Sequence, residues 1–131
     1  MAGANDQTSF TVIATLDIDN SGPALKYDAL TDGVLVIRYL FGLTGTPLTT
    51  GAISATATRT DPVAILAYLD AIRPALDIDG DGVADALTDG LLLLRYLFGL
   101  TGSSLIQDAV GTTATRTTSA QIETYLQSLM P

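Results

Sequence analysis

Laid on itself at an offset of 57 positions, the sequence repeats: Asp28-Ala-Leu-Thr-Asp-Gly falls on Asp85-Ala-Leu-Thr-Asp-Gly, and Arg38-Tyr-Leu-Phe-Gly-Leu-Thr-Gly on Arg95-Tyr-Leu-Phe-Gly-Leu-Thr-Gly. The same offset carries Thr56-Ala-Thr-Arg-Thr onto Thr113-Ala-Thr-Arg-Thr and Pro74 onto Pro131. One repeat therefore spans about 17–74 and the other 77–131, after a tail at 1–9 and a short extended segment over Phe10–Leu16. A unit this small cannot bury its own apolar face, so the twins are expected to pack against each other about a pseudo-twofold axis. With 131 residues, 47% of them hydrophobic, residues 17–131 are expected to make one ordinary domain with a real core.

Each unit reads as loop, helix, long connection, helix, and the expected class is all-α. The first helix, Asp32–Phe41 or Asp89–Phe98, is apolar on nearly every side, with Arg38 or Arg95 its only charge after the first turn, as in a buried central helix. Gly42 and Gly99 are placed to cap it in the left-handed conformation, with Leu43 and Leu100 next in line to close the cap by an apolar contact. The second helix is amphipathic: Ile65, Tyr68, Leu69 and Ile72 in one copy, and Ile122, Tyr125, Leu126 and Leu129 in the other, recur at helical spacing. Asp61 before Pro62 marks one start, and Thr118 with Gln121 has the form of a capping box at the other. Between the helices run connections rich in Thr, Gly, Ser and Ala, roughly 43–60 and 100–117, longer than most loops and expected to hold local turns.

The charge is −8, from 14 acidic and 6 basic residues, and Asp17, Asp19, Asp28, Asp32, Asp77, Asp79, Asp81, Asp85 and Asp89 crowd into two short windows. Such a surface repels phosphate backbones and anionic lipid, so nucleic-acid and membrane-surface partners are not expected. Cysteine and histidine are both absent, which removes thiolate and imidazole ligands and leaves oxygen to hold any metal. The opening Met-Ala-Gly-Ala-Asn-Asp lacks the basic and apolar stretches of a signal peptide, and the longest apolar run, Leu91–Leu94, is far too short to span a bilayer; the expectation is a soluble chain, a piece of something larger.

The acid windows have a recognisable spacing. Counting Asp77 as position 1, carboxylates stand at 1, 3, 5, 9 and 13 (Asp77, Asp79, Asp81, Asp85, Asp89), with Gly82 at 6: an EF-hand-type Ca²⁺ loop carrying one extra residue before its last acid. Side chains at 1, 3 and 5 converge on one centre, the glycine permits the sharp turn, a backbone carbonyl follows, and a late carboxylate closes the shell from the incoming helix. The expected ligands are Asp77, Asp79 and Asp81, a main-chain oxygen near Val83 or Ala84, Asp85 directly or through water, and Asp89 as a bidentate closer. Without a cation the crowded carboxylates repel one another, and hard oxygens in a flexible loop favour Ca²⁺ over Mg²⁺. The first loop begins alike, Asp17-Ile-Asp-Asn-Ser-Gly, then inserts three residues before Asp28 and Asp32 recover the register. Ser21 replaces the acid at position 5 and Lys26 adds a positive charge, so a site made of Asp17, Asp19, Ser21, Asp28 and Asp32 is expected to bind more weakly, for one or two ions in all.

An Asp-x-Asp-x-Asp-Gly loop running into an apolar helix, repeated once across a linker helix, resembles the dockerin family of calcium modules over about 17–98. The resemblance implies two loop-helix calcium motifs around a connecting helix, Asp77, Asp79, Asp81, Asp85 and Asp89 as ion ligands with Asp17, Asp19, Ser21, Asp28 and Asp32 as their counterparts, and a cohesin-like or other protein partner. It also implies placement outside the cell, as a terminal association or stability module of a larger secreted protein. The chain departs from the minimal pattern in its extra loop residue, its Thr-rich connections and a further C-terminal helix at 118–130.

Two rivals carry less. Paired aspartates serve as acid and nucleophile in glycoside hydrolysis, but here they stand at metal-loop spacing with no His or Cys to act beside them, so no enzyme is expected. A calcium sensor exposes a Met-rich groove, and this chain has only Met1 and Met130. Arg38 and Arg95 cap helix carbonyls or pair with loop acids, or else form a docking surface; Arg59 and Arg116 have the same two readings, and a structural role is expected of them.

Overall fold

A computed structural model of the chain describes residues 15–23 and 26–130. The tail at 1–9 and most of the lead-in expected over Phe10–Leu16 lie outside the described residues, as do Ala24, Leu25 and Pro131. Among the described residues the fold is all-α: helices α1 (Val34–Leu40), α2 (Thr46–Thr49), α3 (Pro62–Ile72), α4 (Leu91–Leu97), α5 (Gly102–Ile106) and α6 (Ser119–Ser128), with no strand. No helix among them is long and apolar enough to cross a membrane.

Both long helices start where the sequence places them. The Asp61 side chain accepts from the Val63 N–H with Pro62 at the first position of α3, and Thr118 and Gln121 make the reciprocal capping box of α6. The helices α1 and α4 end as expected too. Gly42 and Gly99 take φ of 90° and 93°, and the N–H groups of Leu43 and Leu100 reach back to the carbonyls of Arg38 and Arg95 at 3.0 Å, the six-residue closure of a Schellman cap. Leu43 and Leu100 nevertheless stay on the surface.

Two features correct the sequence reading. Helices α1 and α4 do not begin at Asp32 and Asp89: each is preceded by a π-helical turn, Ala29–Gly33 or Ala86–Gly90, in which the N–H of Gly33 or Gly90 bonds the carbonyl five residues back, Asp28 or Asp85. The extra residue noted before the last acid is absorbed here, as a widened turn on the helix. The long connections are also less irregular than a run of turns, since each holds a short helix, α2 or α5. Arg38 donates to the carbonyls of Leu48 and Thr50 at the end of α2, and Arg95 to those of Leu105 and Gln107 at the end of α5, where unpaired carbonyls gather.

One apolar cluster runs through both halves, with Leu35, Ile65 and Leu69 from the first and Leu92, Ile122 and Leu126 from the second all fully buried. At its centre the two halves approach so closely that a Cβ on Gly33 would stand 2.8 Å from Leu94 Cδ1, and one on Gly90 would stand 3.1 Å from Ile37 Cγ1. Glycine here is a packing requirement: each π-turn lies against the central helix of the other half. The segment before the first loop is pinned as well, by Leu16 N–H to the Leu129 carbonyl at 2.9 Å and by hydrogen bonds between Thr15 and the Tyr68 hydroxyl.

Candidate metal centres

Each acidic loop is drawn into the protein by its apolar neighbours. In Leu16-Asp-Ile-Asp and Leu76-Asp-Ile-Asp, the Leu and Ile are buried to 1% exposure or less, so Asp17, Asp19 and Asp79 are carried below the surface and Asp77 is left half-buried. Burying each such side chain is worth roughly 1.5–3 kcal/mol, enough to hold a loop whose own charges resist it.

Carboxylate oxygens of Asp77, Asp79, Asp81 and Asp89 lie within 4.8 Å of one another, and those of Asp17, Asp19 and Asp32 make the matching group in the first half. Asp19, Asp32, Asp79 and Asp89 are 0% exposed. The loops are held in shape by hydrogen bonds onto these acids. Asp77 accepts from the N–H groups of Gly80, Asp81 and Gly82 at 2.8–3.1 Å, while Asp17 accepts from Ser21 N–H and the Ser21 hydroxyl. Gly22 and Gly82, at position 6, take φ of 82° and 93°, the left-handed turn that the spacing requires.

The closing acids clamp the loop ends together. Asp89 Oδ1 accepts from Asp79 N–H at 3.1 Å and Oδ2 from Asp85 N–H at 2.8 Å; Asp32 accepts from Ile18 at 2.7 Å and Asp28 at 2.9 Å. Burial above all lifts the Asp32 carboxyl from its ordinary 3.8 to about 7, and the charges of Asp19 and Asp17 add to the lift against the two backbone donors. Burial likewise lifts Asp89 to about 7, opposed by the Asp85 and Asp79 N–H groups and helped by the charges of Asp79 and Asp77. Asp79 is raised for the same first reason, burial.

Among the described residues, two carboxylate oxygens in this arrangement have no partner. Asp19 Oδ1 and Asp79 Oδ1, the position-3 carboxylates of the two loops, are buried without a hydrogen bond, although their other oxygens accept from Ser54 N–H at 2.8 Å and Gly111 N–H at 2.7 Å. An orphaned carboxylate oxygen at the middle of a carboxylate group is what a hard cation satisfies. The donor set suits a hard metal cation: oxygens only, several of them charged, converging from a loop and an incoming helical turn.

The structure does not bring every expected ligand together. Asp85 is exposed and caps the π-turn, accepting from Leu87 N–H at 3.1 Å, and Asp28 accepts from the Thr31 hydroxyl at 3.3 Å; neither belongs to its carboxylate group. Position 9 falls at the N-cap because the π-turn starts directly after it. Val83 is 61% exposed, with its N–H on Asp81 Oδ1 at 2.9 Å. Ser21 is buried beside Asp17, as a position-5 residue should be.

Sequence reasoning missed the role of the connections. Residues 54–59 and 111–116 fold back over the outside of each loop, where the Asp19 carbonyl accepts from Thr58 and Arg59 N–H, and the Asp79 carbonyl from Thr115 and Arg116 N–H. Arg116 bridges the carbonyls of Ile78 and Asp77, each at 2.7 Å, and lies 3.8 Å from the Tyr125 ring centre; Arg59 holds the Ile18 carbonyl at 2.6 Å, 4.0 Å from that of Tyr68. The signal available was the duplicated Ala-Thr-Arg-Thr itself, too well kept between the halves for a passive linker. Comparison with protein-family models, with curated proteins and with solved structures finds no match to this chain.

Proposed function

We propose that the chain is a non-enzymatic calcium-binding module in which two EF-hand-like loop-helix-loop-helix repeats, related by a pseudo-twofold axis, each hold one Ca²⁺ ion. The observation that carries this reading is the pair of buried, partnerless oxygens, Asp19 Oδ1 and Asp79 Oδ1, each inside a group of carboxylates. In the second site Asp77, Asp79, Asp81 and Asp89 hold the ion; in the first, Asp17, Asp19 and Asp32 do, at lower affinity for want of a fourth charge. The ion neutralises carboxylates that otherwise repel each other and locks the loop to the start of the central helix, which makes Ca²⁺ part of the fold.

Within this reading the module resembles a dockerin and serves as a docking or stability element of a larger extracellular protein, with a cohesin-like or other protein as partner. Support for a docking role comes from large apolar side chains left outside at matching places: Leu30 and Leu87 at 62% and 63% exposure, Phe41 and Phe98 at 59% and 56%. Catalysis is not part of the proposal, since the acids are committed to the loops and no His or Cys stands beside them.

A thermal melt followed by circular dichroism tests the calcium reading, with metal-stripped protein compared in millimolar Ca²⁺, in Mg²⁺ and in chelator. Free ion at a hundred times the dissociation constant stabilises the folded state by about 2.7 kcal/mol, a rise of several degrees in Tm for a chain this size. The rise should be specific to Ca²⁺ and should shrink when Asp77 and Asp89 are changed to Ala. An unchanged Tm would return the loops to ordinary acidic turns.

A further inference from the structure

The two loops differ at position 5, and the connections differ at the place that faces it. The second loop has Asp81 and the first Ser21; in the connections Gly111 stands where the first half has Ser54. Both connection residues do the same backbone work, Ser54 N–H bonding Asp19 Oδ2 at 2.8 Å and Gly111 N–H bonding Asp79 Oδ2 at 2.7 Å. A Cβ on Gly111 would stand 2.7 Å from Asp81 Oδ2 and 3.1 Å from Asp79 Oδ2, so the missing side chain is what makes room for the Asp81 carboxylate. In the first half the exchange runs the other way: the loop has lost its carboxylate and the connection has gained a hydroxyl.

That hydroxyl, Ser54 Oγ, is buried and has no hydrogen-bond partner. Beside it Asp19, completely buried, leaves Oδ1 without a partner as well. Two orphaned oxygens on residues joined by a hydrogen bond call for one guest that satisfies both, and a cation accepts from oxygen without needing a proton. The Ser21 hydroxyl donates to Asp17 Oδ1 at 3.1 Å.

We infer that Ser54 Oγ is a ligand of the first ion, an oxygen supplied by the connection in place of the carboxylate that the loop lacks at position 5. The inference rests on the calcium reading above. It makes the first site a composite of loop and connection, with three carboxylates and a neutral hydroxyl, where the second has four carboxylates from loop and helical turn alone.

The test is a CaCl₂ titration of the whole chain followed by amide NMR, in which Gly22 reports the first loop and Gly82 the second. Changing Ser54→Ala, which removes the oxygen and keeps the Cβ, should weaken the Gly22 transition about tenfold and leave that of Gly82 in place. The Gly82 signal also shows that the variant is folded, and Ser54→Gly, which copies the glycine of the second connection, repeats the loss if the alanine disturbs packing. Ser21→Asp with Ser54→Gly rebuilds the second arrangement in the first and should restore binding, whereas Ser21→Asp alone should not, because its carboxylate meets the Ser54 side chain. A Gly22 transition unmoved by Ser54→Ala and Ser54→Gly overturns the inference and leaves the calcium reading standing. A Gly82 response with no Gly22 response in the unchanged protein does the same. No response at either glycine removes the calcium reading, and this inference with it.

Discussion

Asp32 and Asp89 each join the two ends of a loop through backbone N–H groups while sitting completely buried, and burial lifts their carboxyls to about 7 against those donors. In an unfolded chain the same groups titrate near pH 4. Between those values the metal-free folded form holds protons that the unfolded form has lost, so the contribution of these two carboxyls to stability is fully present below about pH 4 and is lost as pH rises through about 7. On the calcium reading proposed above the sign reverses in Ca²⁺, since the ion needs the deprotonated carboxylates and wins them only as protons leave. Melts across this range in chelator and in Ca²⁺ are expected to slope in opposite directions; parallel slopes would show that the buried acids do not meet the ion. Asp85 belongs to a different role. As a cap, its change to Ala should cost about 1 kcal/mol of stability and leave Ca²⁺ affinity nearly unchanged. An affinity loss as large as that of Asp77→Ala, read by calorimetric titration, would place it among the ligands.

Caps show how far local chemistry governs the elements. Thr118→Ala removes one side of the capping box of α6 and should lower stability by about 1 kcal/mol by denaturant melt, with the same increment from Ca²⁺ as before, because α6 holds no ligand. These features were legible in the sequence since they involve neighbours: Asp61 with Pro62, Thr118 with Gln121, Gly42 and Gly99 after the last helical turn. Helices α2 and α5, of 4 and 5 residues, were not, as so short a span shows no apolar period. The π-turns were half legible. One surplus residue could be counted, but its form was decided by Asp32 and Asp89 reaching back to the loop while Gly33 and Gly90 pack on the opposite helix. In the second candidate site the acids at positions 1, 3, 5 and 13, and in the first Asp17, Asp19 and Asp32, followed from spacing alone. Ser54, Gly111, Arg59 and Arg116 did not, for each meets its loop across more than 30 residues of chain.

Taken as a whole molecule, the connections are the outer walls of the loops, so ion and wall are expected to open together. Limited proteolysis with thermolysin checks this: cleavage within 52–59 and 109–116 should slow with Ca²⁺, by about a hundredfold when free ion is a hundred times the dissociation constant and opening requires ion release. Cleavage at the same rate with and without Ca²⁺ would mean that the walls move independently of the ion. Another feature acts at this scale. Leu16 and Leu129 are joined by a backbone hydrogen bond at 2.9 Å, with Thr15 fastened to the Tyr68 hydroxyl beside them. A pull applied through residues 15 and 130 would therefore load this latch first, sparing both acidic loops from tension until the latch tears.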